Sequence, residues 1–507
     1  MLNSPTGRMT ERRAFMTKLA ASGLAIALTT GAKCQPAKPD ESVGPRDVRA
    51  FGAKGDGTTD DTAAFNAATN AAASAPQAAG IAIYVPPGTY RIDGTVFLRK
   101  GQSLSGAGDA TIIDASRARS RTIVMGRNAK DIDDPGGAPA SIAQLRFLGG
   151  SGHAPLIQVN LPGFAITDLF ISAAGTAIEI GGADGIISNV VIDQALNGIV
   201  LKGAHNIVIT GLIVYEANYA ITVGNATSDV SLSDLIIAYS KHASVLFAEG
   251  ATDITSVRVA NTTFVSSIEY PTFVGHVHAR AAAFDAHFTS CIFRNWREFA
   301  VIQAAGGGAD LSFSDCTFDG ARSHPSYNAS ATASGIRTGA NSRIRLSQCV
   351  FRRLLGPVAL IGSGLRELTI DGGSVEECRG EPIRFMPGAG GRIRVRGAEG
   401  FGRLVETSGS CSIILPWWGS TTAWHVSAAR RGAPGGLSVA TIAVCQNGDV
   451  VSCLVGEVQR YGEPLPISVS FGAARGGPQQ VPLGGGSGSV CVTVPGAEID
   501  WIAETVI

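Results

Sequence analysis

One short pattern, a turn-forming residue followed by apolar, any and apolar, recurs along most of the chain. It occurs at Gln144 (QLRF), Asp168 (DLFI), Asn189 (NVVI), Gly211 (GLIV), Asp234 (DLII), Asn261 (NTTF), Ser290 (SCIF), Asp315 (DCTF), Gln348 (QCVF) and Gly372 (GGSV). The intervals are 24, 21, 22, 23, 27, 29, 25, 33 and 24 residues. A strand-plus-turn unit of this length cannot bury its own apolar face alone, so successive units must stack into a solenoid with one continuous core. Residues two apart on a strand share a face. Leu145/Phe147, Leu169/Ile171, Val190/Ile192, Leu212/Val214, Leu235/Ile237, Thr262/Phe264, Cys291/Phe293, Cys316/Phe318 and Cys349/Phe351 therefore form two adjacent interior columns. A second strand starts in successive coils at Ala177-Ile178, Gly198-Ile199, Ala220-Ile221, Ser244-Val245, Ala300-Val301, Gly335-Ile336 and Pro357-Val358.

The segment before the first repeat follows different periods. Gly52, Gly55 and Gly57 make turns, and Thr58 to Asp61 supply side chains able to accept from the free N–H groups of a helix start. Ala64, Phe65, Ala68 and Ala71 or Ala72 then recur at helical spacing until a breaker at Ser74 to Gly80. Ile81, Ile83 and Val85 switch to period two, Pro86-Pro87-Gly88 turns the chain, and Tyr90, Ile92, Val96 and Leu98 begin short strands.

FGAKGDGTTDDTAAF followed by YVPPGTYRI resembles the opening of the pectate-lyase-superfamily proteins, related to the rhamnogalacturonases and to glycoside hydrolase family 28. These also include polysaccharide lyases and phage tailspikes. The resemblance implies an all-β fold, a right-handed single-stranded parallel β-helix with an N-terminal capping helix. It covers the first coil and its cap, and functions diverge widely on this scaffold, so the site must be argued from its own residues.

Composition and charge narrow the partners. With 64 glycines, 7% aromatic and 16% charged residues, the chain is rich in turns and lean in amphipathic helices. Forty-one basic residues balance 41 acidic ones, against the basic excess usual for binding nucleic acid or an anionic membrane. No apolar run after residue 34 has membrane-spanning length.

Residues 1–32 read as a twin-arginine-type export signal: Thr10-Glu11-Arg12-Arg13-Ala14-Phe15-Met16 precedes a mildly apolar run, and Thr30-Gly31-Ala32 offers a cleavage site. The expected location is periplasmic or secreted. Cys34 raises a lipoprotein alternative, but Lys33 stands where that motif wants a small residue. Residues 33–46 read as a linker, 47–415 as the β-helix with its cap, and 416–507 as a small C-terminal β-domain with an Asn447-Gly448 hairpin. That region suits a homotrimer, as in tailspike relatives, or a sugar-binding β-sandwich. Cys291, Cys316 and Cys349 read as stacked buried thiols, whereas Cys411, Cys445, Cys453 and Cys491 are the disulfide candidates.

Candidate chemistry concentrates where the repeat is irregular, because insertions in a solenoid become loops on one face. Five of the eight histidines, His242, His276, His278, His287 and His324, fall between 242 and 324. Asn218-Tyr219, Lys241-His242, His278-Arg280 and Arg297-Glu298 sit near the start of the second strand in four coils, predicting one outer row. At about 4.8 Å per coil such a row suits an extended sugar polymer, an acidic polysaccharide. A uronate lyase acting by β-elimination needs a cation for the sugar carboxylate, which Arg280 or Arg297 could supply. It also needs a base, for which His278, His242 or Tyr219 stands ready. A glycoside hydrolase would instead need paired carboxyl groups, Glu298 with Asp285 or Glu269. Trp296, Tyr270, His276 and His324 are the remaining substrate-binding candidates. No cofactor is implied, and His276-x-His278 with His287 reads as solvated histidines rather than a metal site. The Asn-x-Asp, Gly-His-Gly and Arg-x-Lys set of polygalacturonase-type relatives does not occur in consecutive coils.

Overall fold

The computed structural model describes residues 45–73, 81–126, 139–149, 154–172, 175–266, 275–296, 298–303, 308–320, 334–378, 383–386 and 391–396. Beyond these it describes strands within 410–418, 421–430, 437–447, 450–455, 459–461, 468–471, 487–495 and 499–505. The export-signal segment 1–32 and the linker up to Gly44 lie outside the described residues.

Stacking of the repeat produces a mostly β structure, a parallel β-solenoid of about eleven turns. Each coil contributes a long or divided strand to one large sheet and a short strand to a second, twelve-stranded sheet. Asn197–Leu201, Tyr219–Val223, Ala243–Phe247, Gly275–Ala279, Phe299–Gln303 and Ser334–Arg337 are successive parallel rungs of the short-strand sheet. Their register runs Ile199, Ile221, Val245, Val277, Val301 and Ile336, all fully buried.

All ten turn residues of the sequence pattern have positive φ, between 48° and 70°. Left-handed backbone costs a residue with a Cβ roughly 1–2 kcal/mol, less for Asn and Asp and almost nothing for Gly, which explains why those types dominate the position. The bend turns the strand without breaking the stack, since Leu169, Val190 and the residues beyond remain paired across it. Stacked side chains add to the ladder, for Asn189 Nδ2 donates to Asp168 Oδ1 at 3.2 Å. A second left-handed corner holds Gln194, Glu216, Tyr239, Asn295, Arg353 and Glu377, with φ from 52° to 60°. It links the end of the large-sheet strand to the start of the short one.

The interior columns pack as the alternation requires. Phe264, Phe293, Phe318 and Phe351 form a pile with centroids 4.8, 4.7 and 4.5 Å apart and planes within 8° of parallel. Beside it stand the free, buried thiols Cys291, Cys316 and Cys349. Hydrogen bonds with the flanking sulfurs, and then burial, push the Cys316 thiol far above its ordinary value. The side chains of Cys411, Cys445, Cys453 and Cys491 lie outside the described residues.

Before the coils, the helix Thr62–Ala73 buries Phe65 edge-on against Tyr90, with ring centroids 5.6 Å apart. Asp60 accepts from the Thr62 N–H at 3.1 Å, as the helix-start reading requires. The Asp61 carboxylate is instead turned back onto the N–H groups of Lys54 and Gly55, tying the glycine turn to the helix. After the coils the pairing changes sense. Ile499–Thr505 runs antiparallel to Arg392–Arg396 and to Thr421–Arg430, and Leu437–Asn447 pairs antiparallel with Val450–Val455, as the hairpin signal predicted.

Candidate functional site at the corner between the two sheets

The second left-handed corner gathers the chemistry. Large-sheet strands end at Tyr215, Ala238, Val265, Arg294, Asp319 and Arg352 in successive coils, which align as one column. The next strand opens with Tyr219 in one coil and with Ala243, directly preceded by His242, in the following coil. Tyr219 stacks on His242, with ring centroids 5.3 Å apart and planes at 27°. Tyr215 meets Tyr239 edge-on at 5.1 Å. Lys241 and His242 are fixed by backbone bonds to Ala217 and Asn218 of the preceding coil. Farther along the same corner Arg294 and Glu298 are exposed. Asp319, only 4% exposed, is clasped by Arg352 at 3.1 Å and by Arg353 Nε at 2.6 Å. That hydrogen bond holds Arg353 above its ordinary value.

Two of the longer coils, at intervals of 29 and 33 residues, carry their extra residues between a large-sheet strand and the next short strand. Residues 267–274 join Thr263–Val265 to Gly275–Ala279, and residues 321–333 join Thr317–Asp319 to Ser334–Arg337. Tyr270, His324 and Arg297 lie outside the described residues.

The predicted single row is a mistake of register. Tyr219 aligns with Ala243 and Gly275, so His278 lies three residues farther along its strand and Arg280 beyond the strand's end. At about 3.3 Å per residue, Arg280 stands roughly 17 Å from the corner. There His278 is 4% exposed, and its Nε2 accepts from Arg280 Nε at 3.1 Å. Burial, and then the Arg280 charge, lower the His278 pKa to about 4. With that lone pair already engaged, His278 is placed to orient Arg280 rather than to take a proton from substrate. Arg280 also pairs with Glu249 at 3.3 Å on the exposed side.

Two substrate-binding candidates are interior. Trp296 is fully buried, donating from Nε1 to the Ser334 carbonyl at 2.7 Å. His276 is fully buried beside Phe264, Phe293 and Trp296, bonded to Ser244 Oγ and to the Arg294 carbonyl. Desolvation lowers its pKa to about 3, so it is a neutral core residue. Both follow from the corner, where the chain direction changes and consecutive residues such as His276 and Val277 are both buried. Asp285 stands apart as well, on the outer face of the large sheet within Ala283–Thr289, beside His287. The Glu298–Asp285 pair that hydrolysis would need is therefore split between two faces.

Tyr215, Tyr239, Asp319, Arg352 and Arg353 were missed by the sequence reading. A signal existed, because Tyr215, Arg294, Asp319 and Arg352 each lie four residues after a turn residue of the repeat.

Residues 45–158 match the model of the family described as rhamnogalacturonase A/epimerase, pectate lyase-like. The chain thus has a pectate-lyase-like, rhamnogalacturonase A-type β-solenoid fold. Among curated proteins, none matches the chain. Solved structures similar to it include PfbA, a surface adhesin of Streptococcus pneumoniae, at 13% identity and a TM-score of 0.49, covering 81% of this chain and 98% of that one. The catalytic unit of a GH87 alpha-1,3-glucanase from Streptomyces thermodiastaticus is similar at 16% identity and 0.48, covering 70% and 68%. The A-module of the Azotobacter vinelandii mannuronan C-5 epimerase AlgE4 is similar at 15% and 0.40, covering 67% and 97%.

Proposed function

We propose that the protein is an exported enzyme that cleaves a uronic-acid-containing polysaccharide by β-elimination, with the polymer lying along the corner between the two sheets. The observation that carries this reading is the cluster Tyr219, His242 and Lys241 on adjacent coils, one cation beside a stacked phenol–imidazole pair. Lys241 neutralises the uronate carboxylate and so acidifies the neighbouring C–H. The Tyr219–His242 pair takes that proton and returns one to the departing glycosidic oxygen. Tyr215 and Tyr239 offer ring faces to the flanking sugars, while Arg294 and, two coils on, the Arg352–Arg353 pair around Asp319 add positive charge along the same corner.

The helix Thr62–Ala73 caps the first coil, and the strands from 410 to 505 form a small domain at the other end. Residues 1–32 direct export by the twin-arginine route.

Incubation with a panel of acidic polysaccharides tests this directly. Products absorbing in the ultraviolet band of unsaturated uronates are expected, with a loss of about 10²- to 10⁴-fold in Tyr219→Phe and in His242→Ala. New reducing ends without that absorbance would make the protein a hydrolase. Polymer binding with neither product would make it a non-catalytic polysaccharide-binding solenoid.

A further inference from the structure

On the outer face of the large sheet, away from the corner, three side chains converge that the lyase reading does not use. Asp285 and His287 are two residues apart on Ala283–Thr289 and therefore point the same way. Ser312 is the register partner of His287 one coil later. His287 Nδ1 lies 2.5 Å from Ser312 Oγ, and His287 Nε2 lies 3.1 Å from Asp285 Oδ1. We propose that Ser312, His287 and Asp285 form a second active site, a serine esterase centre acting on short O-acyl esters.

Tautomer logic supports the assignment. An ionised carboxylate only accepts hydrogen bonds, so Asp285 places the imidazole proton on Nε2. Nδ1 is then left with a lone pair facing the Ser312 hydroxyl, which is the arrangement that activates a serine. The ring is used in the opposite sense to that of the serine proteases, but the roles of nucleophile, base and orienting carboxylate are filled. Arg345 is the register partner of Ser312 on the other side and is held by Asp310 at 3.2 Å. Its guanidinium carries five N–H donors, so the bond to Asp310 leaves others for the oxyanion of a tetrahedral intermediate.

In the first step the Ser312 hydroxyl proton passes to His287 Nδ1 while Oγ attacks the ester carbonyl. Collapse breaks the bond to the alcohol, which leaves with that proton. Water then attacks the acyl-serine through the same base, releasing the carboxylic acid and restoring the hydroxyl. The His287 and Asp285 side chains are 41% and 37% exposed, on a broad β-face rather than in a deep acyl tunnel. Such a face suits a short acyl group on a large alcohol. That alcohol being a sugar polymer rests on the proposed function; the covalent chemistry does not.

Treatment of the whole protein with diisopropyl fluorophosphate, followed by peptide mass analysis, should place the adduct on Ser312. Release of acetate from an acetylated polysaccharide should fall about 10³-fold or more in Ser312→Ala and in His287→Ala, with circular dichroism unchanged. Asp285→Asn should slow the reaction and alter its pH profile. An adduct elsewhere, no adduct, or equal turnover in Ser312→Ala would overturn the site. Adduct formation together with a negative uronate assay would leave the esterase standing and remove only the lyase reading.

Discussion

The outer face of the large sheet changes character halfway along, while the layer beneath it does not. In one outer column, Ser141, Ala165, Ile186, Val208 and Ser231 are followed by Arg258, His287, Ser312, Arg345, Thr369 and Arg394. The adjoining interior column reads Ile142, Ile166, Ile187, Ile209, Leu232, Val259, Phe288, Phe313, Leu346, Ile370 and Val395, buried throughout. Backbone and register are shared by both halves. Stacking therefore constrains the inward positions, and the outward ones are free to acquire charge where chemistry needs it.

The sharpest way to break this contrast is to exchange an inner group for a smaller one. Trp296→Ala should cost about 3–5 kcal/mol, through lost packing and the lost indole bond to the Ser334 carbonyl. Ile186→Ser, at a position 50% exposed, should stay within about 0.5 kcal/mol. Chemical denaturation of both variants reads the difference directly.

Acid should also distinguish inside from outside. His276 and His278 have folded-state values lowered to about 3 and about 4 from 6.5. Above pH 6.5 both are neutral in either state and contribute no pH dependence. Below it the unfolded chain binds protons that the folded chain refuses, so stability falls with falling pH. The His278 contribution levels off near pH 4 and that of His276 near pH 3. Denaturation curves across this range should flatten in His276→Gln and His278→Gln. An unchanged slope would mean that the two rings are not desolvated.

A smaller effect tests the bend. Asn189→Ala should cost about 1–2 kcal/mol, because alanine tolerates a φ of 54° poorly and the bond to Asp168 is lost. Asn189→Gly should recover most of it, as seen by thermal melting.

The fold was legible because its rules are local and repeated. Asn, Asp and Gly mark the left-handed bend in seven of ten coils, with Gln144, Ser290 and Gln348 in the others, and period two marks the strand on either side of it from Gln144 to Gly372. The site was less legible because it occupies the second corner, where period two fails. His276 and Trp296 read as surface groups since nothing local shows the chain turning inward. His278 was assigned to the wrong row because residues 267–274 vary the distance from the last countable strand. Tyr219 and His242 do lie on adjacent coils as expected, since Tyr219 opens a regular rung and His242 directly precedes one.

The phenylalanine pile has one more consequence. Ring centroids 4.5–4.8 Å apart match the spacing of parallel strands, about 4.8 Å, so each ring is stacked by the same step that forms the backbone bonds. Removing or duplicating one entire coil lets rings and strands meet again in phase. Residues between the strands can vary in number, as the coils of 25 and 33 residues show. Losing a strand, however, leaves rings and ladder out of step, and so the number of rungs is free to change only in whole turns.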